Sequence, residues 1–397
     1  MNLSSEILDF IKKHQDTDIH ILALQGHKYP GIDMEVAIRH IAGRRMAKDK
    51  IPSWYANNRI IYPKHLSLEQ SSSEKTATYK SSLANGQTMV DLTGGMGIDF
   101  SFMAKYFNKA IYVEQQAELT DIARHNFDVL GLNNTSVINT KAEEHLHSMP
   151  PVDLIYLDPA RRDGAGKKTV RIEDCTPNIL EMEAMLEEKA ETVMIKLSPM
   201  LDISLALKSL NNVSDVHVVA VNNEVKELLF IKKKHTEGTQ IHCVNIKNTG
   251  NDVFSFTANE EGKAAVRYVS QLSKYLYEPN AAILKAGAYK SVAEAFSLDK
   301  LHVSSHLYTS DELIHFPGRC FLVVNVISLN KRDIKEYLSG MKQANITTRN
   351  FPLSVQKIRK KTGLKEGGDV YIFATTLSDE KKVLLVCEKV ENTKVNA

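Results

Sequence analysis

Short β-branched runs alternate with helical patterns along the chain between Met89 and about Lys234. Runs such as "KAIYVEQ" and "VDLIYLDP" are separated by amphipathic stretches such as "AELTDIARHNFDVLG". Alternation of this kind is typical of βαβ units and of a parallel sheet with helices on both faces. Two further apolar strands, joined by a tight turn at 222–224, predict a hairpin that closes the sheet. The sequence therefore predicts an α/β fold here.

The chain on either side of this alternation has a different texture. Residues 1 to about 85 read as helical and loop-rich, whereas the last part combines strands with helices. Strands are predicted near "IHCVNI", "FLVVNVI", "DVYIFATTL" and "KVLLVCEKV", and helices near "GKAAVRYVSQLSKYLY" and "KRDIKEYLSGMKQ". A length of 397 residues allows two or three domains. We expect a helical N-terminal substrate domain over 1–85, the α/β domain over 86–236 and an α+β domain over 237–397.

Composition excludes several classes of protein. Hydrophobic residues make up 43% and charged residues 25%, which is ordinary for a globular protein. No segment approaches the ~18 apolar residues that a membrane span requires, and the acidic start "MNLSSEILDFIKKHQDTD" does not read as a signal peptide. The four cysteines form no C-x-x-C pair, which argues against a disulfide framework and a zinc site. We expect a cytoplasmic protein with no metal and no membrane partner.

The stretch "VDLTGGMGIDF" puts three glycines between a strand and a helix-like pattern. Only glycine leaves room for a ligand to approach the backbone closely and tolerates positive φ, although a structural tight turn is the alternative. The next strand ends in Glu114, 23 positions after Asp91, where a ribose-binding carboxylate belongs in a nucleoside-binding unit. The spacing is neither G-x-G-x-x-G nor G-x-x-x-x-G-K-[ST], so the turn fits NAD or ATP poorly.

Together with "YVEQ" and "YLDPAR", this stretch resembles the class I S-adenosylmethionine-dependent methyltransferases. In that family the first motif reads D-x-x-x-G-x-G, the second strand ends in an acidic residue on the ribose, and the fourth ends in a D/N-P-P-type motif. The hairpin matches the last two strands of that fold, of which the final one runs antiparallel. The resemblance implies a Rossmann-like sheet that binds S-adenosyl-L-methionine.

The resemblance also implies which residues hold the cofactor. The methionine end would lie against Asp91 and the glycines, the ribose on Glu114, and the adenine between Gln115 and the residues after the third strand. In "EQSSSEKTATYK" the hydroxyls of Ser72, Ser73 and Thr78 resemble a lid, which helix N-capping explains about as well. A solvated acid at a helix start is likewise the alternative for Glu143. The implied cofactor-binding residues are Asp91, Thr93, Gly94, Gly95, Gly97, Glu114, Gln115, Ala142, Glu143, Ser73 and Thr78.

The fourth strand ends in Asp158-Pro159, at the edge of the sheet where a methyl acceptor should meet the cofactor. A carboxylate there can orient an acceptor amine or take its proton, and the proline fixes the turn, although the pair could simply end a strand. "DPAR" also resembles the RNA 5-methyluridine methyltransferases, but these need a cysteine after the fifth strand, where "IKLSPM" has none. We therefore expect transfer to nitrogen, with Asp158 and Pro159 as the catalytic pair.

The net charge of +2 is too small to indicate a nucleic-acid partner. The prediction of RNA therefore depends on local basic clusters. The basic stretch after Ser354 lies beside Phe351 and Tyr371, a mix suited to phosphate contact and stacking. A solvated helix face and core aromatics are the alternative. "YEPNAAILKAGAYKSVAEAF" and the tail resemble the THUMP-like domain of bacterial methyltransferases, and THUMP domains proper bind structured RNA. Arg161 and Arg162, which follow the fourth strand, would also be available to phosphates, with plain surface arginines as the alternative. The predicted substrate-binding residues are Arg161, Arg162, Lys357, Arg359, Lys360 and Lys361.

The sequence thus predicts an S-adenosylmethionine-dependent methyltransferase that acts on a base nitrogen of structured RNA, either tRNA or rRNA. Two alternatives stay open. A protein or small-molecule methyltransferase would put its methyl label outside the RNase-sensitive fraction. A non-catalytic module that binds cofactor and RNA would retain cofactor affinity without transferring a methyl group.

Overall fold

The computed structural model describes residues 3–63, 71–161 and 172–391, except for the side chain of Arg161. The chain forms two compact units, Met1–Asp215 with Glu227–Glu237 and Val216–Lys226 with Gly238–Ala397. The N-terminal helices belong to the first unit, and a separate domain over 1–85 stays a prediction. Among the helices of the described residues, none is both long enough and apolar enough to cross a membrane.

The first unit and the hairpin at its end alternate strands with helices. Their elements are α1 (Ser5–Lys13), α2 (Ile19–Leu24), α3 (Met34–Lys50), α4 (Pro52–Tyr55), α5 (Glu74–Ser81), β1 (Gly86–Asp91), α6 (Ile98–Met103), β2 (Phe107–Glu114), α7 (Ala117–Val129), β3 (Thr135–Asn139), α8 (Ala142–Ser148), β4 (Val152–Leu157), β5 (Ala160–Arg161), β6 (Cys175–Thr176), α9 (Ile179–Lys189), β7 (Ala190–Leu197), α10 (Ile203–Ser209), β8 (Val213–Val221) and β9 (Glu224–Lys233).

The sheet of the first unit has the strand order β9-β7-β4-β1-β2-β3. Strands β7, β4, β1, β2 and β3 pair in parallel, whereas β9 runs antiparallel to β7. β8 and β9 form the predicted hairpin, and its turn residues Asn222 and Asn223 both have positive φ, as a tight two-residue hairpin requires. This confirms the predicted fold class for this part of the chain. The order reverses at β1, which makes the carboxyl ends of β1 and β4 the expected place for a ligand.

The interior of the first unit is aromatic next to β1 and β2. Phe100, Tyr112 and Phe127 are buried together, with ring centroids 4.8 to 5.6 Å apart. A second buried cluster joins the N-terminal helices to α5 and α6 through Trp54 and Ala77, among others. The elements that carry the glycine-rich turn are therefore supported from both sides by close-packed side chains.

The second unit combines short helices with a seven-stranded sheet in the order β13-β14-β12-β15-β18-β17-β16. Its elements are β10 (Gln240–Lys247), β11 (Gly250–Thr257), α11 (Ala258–Lys263), β12 (Tyr275–Pro279), α12 (Ala281–Ala286), α13 (Ser291–Ala295), β13 (Asp299–Lys300), β14 (Tyr308–Ser310), β15 (Gly318–Ile327), α14 (Lys331–Asp333), β16 (Asn345–Arg349), α15 (Val355–Thr362), β17 (Val370–Thr376) and β18 (Lys382–Val390). The four strands that the sequence predicts here correspond to β10, β15, β17 and β18, which confirms the α+β class.

The helix predicted near "GKAAVRYVSQLSKYLY" is wrong for most of its length. A capping box of Thr257 and Glu260 begins α11 earlier, and the helix ends at Lys263. Beyond it the backbone pairs with Lys300 at Tyr268, and Tyr275–Pro279 forms β12 between β14 and β15. Pairing with distant strands overrides the local helical pattern, which is why periodicity misleads at this point.

Candidate cofactor and acceptor site

The three glycines between β1 and α6 are needed for two different reasons. A Cβ atom on Gly94 would lie 2.1 Å from a ring carbon of Tyr112, and one on Gly97 would lie 2.8 Å from a buried phenylalanine ring. A Cβ atom on Gly95 would meet nothing nearer than the carbonyl oxygen of Thr93, 3.7 Å away. Packing of the rings beneath the turn therefore requires Gly94 and Gly97, whereas Gly95 borders open space.

Two buried carboxylates lie against this turn. Oδ1 of Asp91 accepts a hydrogen bond from the backbone N–H of Thr93 at 2.9 Å. Glu114 accepts the N–H of Gly95 at 3.0 Å and the N–H of Gln116 at 2.9 Å through its two oxygens. Burial raises the pKa of Asp91 well above its ordinary value, because water is excluded from the carboxylate. A cationic ligand group beside Asp91 would offset that penalty.

Thr93 ties the end of β4 to the glycine turn. Its hydroxyl accepts the backbone N–H of Asp158 at 2.6 Å, as expected from the register that sets Asp91 beside Tyr156. The Asp158 side chain is 41% exposed, and Pro159 is buried. The predicted catalytic pair and the predicted cofactor turn therefore meet at one edge of the sheet.

Lys196, near the end of β7, forms an ion pair with the Asp158 carboxylate. Its side chain is 11% exposed, its Nζ donates to the Ser72 hydroxyl at 3.1 Å, and Nζ lies 3.5 Å from Asp99. Burial opposes the charge on Lys196, but the carboxylates of Asp158, Asp99 and Glu227 outweigh burial and raise its pKa above the ordinary value. Lys196 therefore stays protonated and restrains the orientation of Asp158.

A second lysine, Lys80 of α5, is fully buried behind this ion pair. Its Nζ lies 2.5 and 2.7 Å from the two carboxylate oxygens of Glu227 and 3.1 Å from Asp99. The other oxygen of Asp99 accepts hydrogen bonds from the hydroxyls of Ser72 and Tyr156, each at 2.7 Å. We call this set the buried lysine network, and its members are Ser72, Lys80, Asp99, Tyr156, Lys196 and Glu227.

The buried lysine network is not predicted from the sequence. Its six residues come from six different elements or loops, so no local motif contains them. The available signal is a charged residue inside an apolar strand run, Lys196 in "TVMIKLSP" and Glu227 in "EVKELLF". Charged side chains are almost never fully buried unless they are paired, so such positions call for a buried partner.

The serines before β1 have separate roles. Ser73 is the N-cap of α5: its hydroxyl accepts the N–H of Thr76, and the Thr76 hydroxyl accepts the N–H of Ser73. The Thr78 side chain is exposed. The structure thus favours the capping alternative for Ser73, and Ser72 is the serine that reaches the buried lysine network.

The residues predicted to contact adenine lie in three different settings. Gln115 is exposed, and Ala142 is the buried first residue of α8. Glu143 borders a cavity of about 300 Å³ whose other lining residues are Leu146, Thr176, Asn178, Glu181, Met182 and Met185. The cavity combines methionines with two carboxylates. A contact between these residues and an adenine ring stays a prediction.

The predicted substrate-binding residues are only partly described. Arg162 lies outside the described residues, and Arg161 is described by its backbone, which pairs with Cys175. In α15 the side chains of Lys357, Lys360 and Lys361 are exposed. Arg359 instead donates through Nη1 to the carbonyls of Ala344 and Leu364, at 3.2 and 3.3 Å, so part of its guanidinium holds the neighbouring loops together.

Comparison with solved structures gives a relative over the full length of the chain. A crystal structure described as "putative methyltransferase from Porphyromonas gingivalis W83" has 34% sequence identity and a TM-score of 0.88, and the match covers 98% of this chain and 100% of that chain. A second match is "Putative methyltransferase yhhF from Escherichia coli", with 17% identity, 45% of this chain, 93% of that chain and a TM-score of 0.33.

A third match is TrmK of M. capricolum in complex with S-adenosyl-homocysteine, with 13% identity, 43% of this chain, 70% of that chain and a TM-score of 0.32. Two family models match the second unit, a ferredoxin-like domain over residues 275–317 and a THUMP domain-like model over residues 318–389. Among curated proteins, none matches the chain.

Proposed function

Because the chain belongs to the methyltransferase family of the Porphyromonas gingivalis protein, with a THUMP-like C-terminal domain, we propose that it transfers the methyl group of S-adenosyl-L-methionine to a base nitrogen of structured RNA. The observation that carries this proposal is the position of Asp158. Its amide is bound to Thr93 of the glycine turn, and its carboxylate is restrained by Lys196 at the exposed edge of the sheet.

The residues of the turn fit this cofactor. The buried carboxylate of Asp91 is suited to an ammonium group, and Glu114 has acceptor oxygens suited to ribose hydroxyls. The open space over Gly95 leaves the backbone accessible to a ligand. S-adenosyl-L-methionine supplies an electrophilic methyl group on a sulfonium sulfur.

Asp158 has the chemistry to handle the acceptor nitrogen. A carboxylate can accept a hydrogen bond from an N–H group, which turns the nitrogen lone pair toward the methyl group. The new N–C bond would form as the bond between the methyl group and the sulfonium sulfur breaks, with the electron pair left on sulfur. The nitrogen would then lose a proton, which Asp158 or water beyond it can take. The ion pair with Lys196 limits the directions in which the carboxylate can point, so Lys196 positions the residue that contacts the substrate.

RNA is the favoured acceptor because of the second unit. Residues 318–389 match the THUMP domain-like model, and α15 within that range exposes Lys357, Lys360 and Lys361 on one short helix. Exposed lysines of this kind bind phosphates with a strong dependence on salt. Phe351 and Tyr371 pack with hydrophobic core clusters, so the stacking role predicted for them has weaker support.

The experiment that tests this function is transfer of labelled methyl from S-adenosyl-L-methionine to total RNA from a strain that lacks the gene. Mass spectrometry of the digested nucleosides then identifies the acceptor atom. We expect a methylated nucleoside with the label on a base nitrogen. Label that resists RNase would identify a protein or metabolite acceptor instead. Bound cofactor with no transfer to any acceptor would indicate a non-catalytic module.

Replacing Gly95 with alanine should weaken the binding of S-adenosyl-L-methionine about tenfold or more. The backbone of Gly95 has φ of 55°, and a methyl group there would enter the open space that we assign to the cofactor. Isothermal titration calorimetry measures the change. Gly131→Ala is the matched control, because Gly131 also has positive φ, 72°, and no atom within 4 Å of its Cβ position. Equal affinities for the two variants would refute the placement of the cofactor.

A further inference from the structure

Two arginines of the second unit share one buried carboxylate. Glu278, in β12, is 3% exposed, and Arg319 lies opposite it in the register of β15. Nε of Arg319 donates to Oε2 of Glu278 at 2.8 Å, and Nη2 of the same guanidinium contacts that oxygen as well. Arg349, the last residue of β16, donates through Nη2 to Oε1 at 2.9 Å. We call these three residues the arginine pair and its carboxylate.

The charges of this cluster do not balance. One carboxylate faces two guanidinium groups, which leaves one positive charge in excess. Both arginines stay accessible, since the Arg319 side chain is 36% exposed and that of Arg349 is 34% exposed. Each guanidinium carries five N–H groups, and Glu278 accepts only part of them. Nε of Arg349 is enclosed and has no hydrogen-bond partner among the described residues. The cluster therefore has both the charge and the donors to bind an anion.

Aromatic rings fix the orientation of Arg319. Its guanidinium carbon lies 5.5 Å from the ring centroid of Phe321 and 5.8 Å from that of Tyr371. The two rings are themselves 5.1 Å apart. A guanidinium held by a carboxylate on one side and by ring contacts on another is already ordered, so binding an anion costs little further side-chain entropy.

The surroundings add positive charge. Lys300 is almost fully buried, and its Nζ donates to the carbonyl of Val303 at 2.9 Å. The charges of Lys300 and Arg349 both act on His306, whose pKa is lowered to about 4 by burial and by these two cations. His306 is therefore neutral at pH 7. Glu261, the acidic group nearby, already accepts backbone N–H groups at the start of α13.

We propose that Arg319 and Arg349, held by Glu278, bind a phosphate of the RNA backbone. The proposal rests on the function proposed above, because it takes RNA as the ligand. This phosphate site differs from the basic helix α15, where the side chains of the lysines are exposed. A planar guanidinium pair matches the oxygens of a phosphate in a way that flexible lysines do not.

Arg349→Gln and Arg319→Gln test the proposal without leaving a charge buried and unpaired. Each variant keeps one arginine on Glu278, so the cluster becomes neutral while the carboxylate remains paired. We expect each variant to weaken the binding of a fluorescently labelled RNA stem-loop about tenfold at low salt. The slope of log Kd against log salt should fall by about one for each lost phosphate contact. Fluorescence anisotropy over a salt series measures both quantities.

Arg267→Gln is the matched control. Arg267 forms a two-point ion pair with Asp299 in the same unit, but there one arginine faces one carboxylate. The control removes the same charge from the protein and should leave both the affinity and the salt slope close to those of the wild type. Cofactor affinity, measured on every variant, reports whether the first unit is intact.

Each remaining outcome overturns a different statement. If the wild-type protein binds the stem-loop but Arg349→Gln and Arg319→Gln behave like Arg267→Gln, the arginine pair is a structural ion cluster and only this inference fails. If the wild-type protein does not bind RNA at any salt concentration, the inference and the proposed RNA substrate fail together. Measurements of cofactor binding and of methyl transfer to a non-RNA acceptor would then define the activity.

Discussion

Asp158→Asn should lower the rate of methyl transfer about 10²-fold or more while leaving cofactor affinity nearly unchanged. Asparagine keeps the shape of the side chain, and the backbone N–H at position 158 still donates to the Thr93 hydroxyl. It cannot take a proton, however, and no longer forms an ion pair with Lys196. Single-turnover transfer of labelled methyl measures the rate, and calorimetry measures cofactor binding. Full activity of the variant would remove Asp158 from the chemistry.

Asp153→Asn controls for the loss of a carboxylate on the same strand. Asp153 lies at the amino end of β4, where it accepts the backbone N–H groups of Gln87 and Thr88 at 2.8 and 2.7 Å. Its removal should lower stability somewhat, but transfer per folded molecule should stay near that of the wild type. A loss of rate as large as that of Asp158→Asn would point to distortion of the sheet rather than to a missing base.

Lys80→Met should lower the free energy of unfolding of the first unit by about 3–5 kcal/mol. The substitution leaves Glu227 without its partner and deprives Asp99 of one of two ammonium groups, in a region that water hardly reaches. Urea denaturation measures the loss. The single tryptophan, Trp54, is buried in the cluster that includes α5, so its fluorescence reports the unfolding of this unit.

Lys232→Met is the control for Lys80→Met. Lys232 is also almost fully buried and also contacts two carboxylates, Glu183 and Glu187. Those carboxylates are 12% and 26% exposed, so water can stabilise them after the lysine is removed. The loss of stability should therefore be smaller. Equal losses of unfolding free energy for the two variants would show that the deeper burial of Glu227 does not add to the effect.

The succession of strands and helices along the chain and the place of the glycine turn could be derived from the sequence, because both leave local marks. The hydrophobic periodicity of a strand or a helix and the residues of a hairpin turn each show within a few consecutive positions. The three glycines can be read from the sequence as well, but the sequence does not show why each of these positions requires glycine. Whether Gly94 serves a ligand or the ring of Tyr112 depends on a packing contact with the neighbouring strand.

The buried lysine network could not be derived in this way. Its side chains come together only after α5, α6, β4, β7 and β9 have taken their places in the fold. A similar limit explains the wrong helix after Lys263, where pairing with Lys300 and β14 decides the conformation. Sequence patterns report the preferences of a segment, whereas both of these features depend on its partners.

The hydrogen bond from the Asp158 amide to the Thr93 hydroxyl makes the two halves of the candidate site mechanically dependent. We expect a ligand that moves the glycine turn to move the end of β4 as well, so that occupation of one half would change the free energy of binding at the other. Such coupling is reciprocal by thermodynamic necessity. A product analogue held in the turn should therefore alter the affinity for the acceptor by the same factor as the acceptor alters the affinity for that analogue.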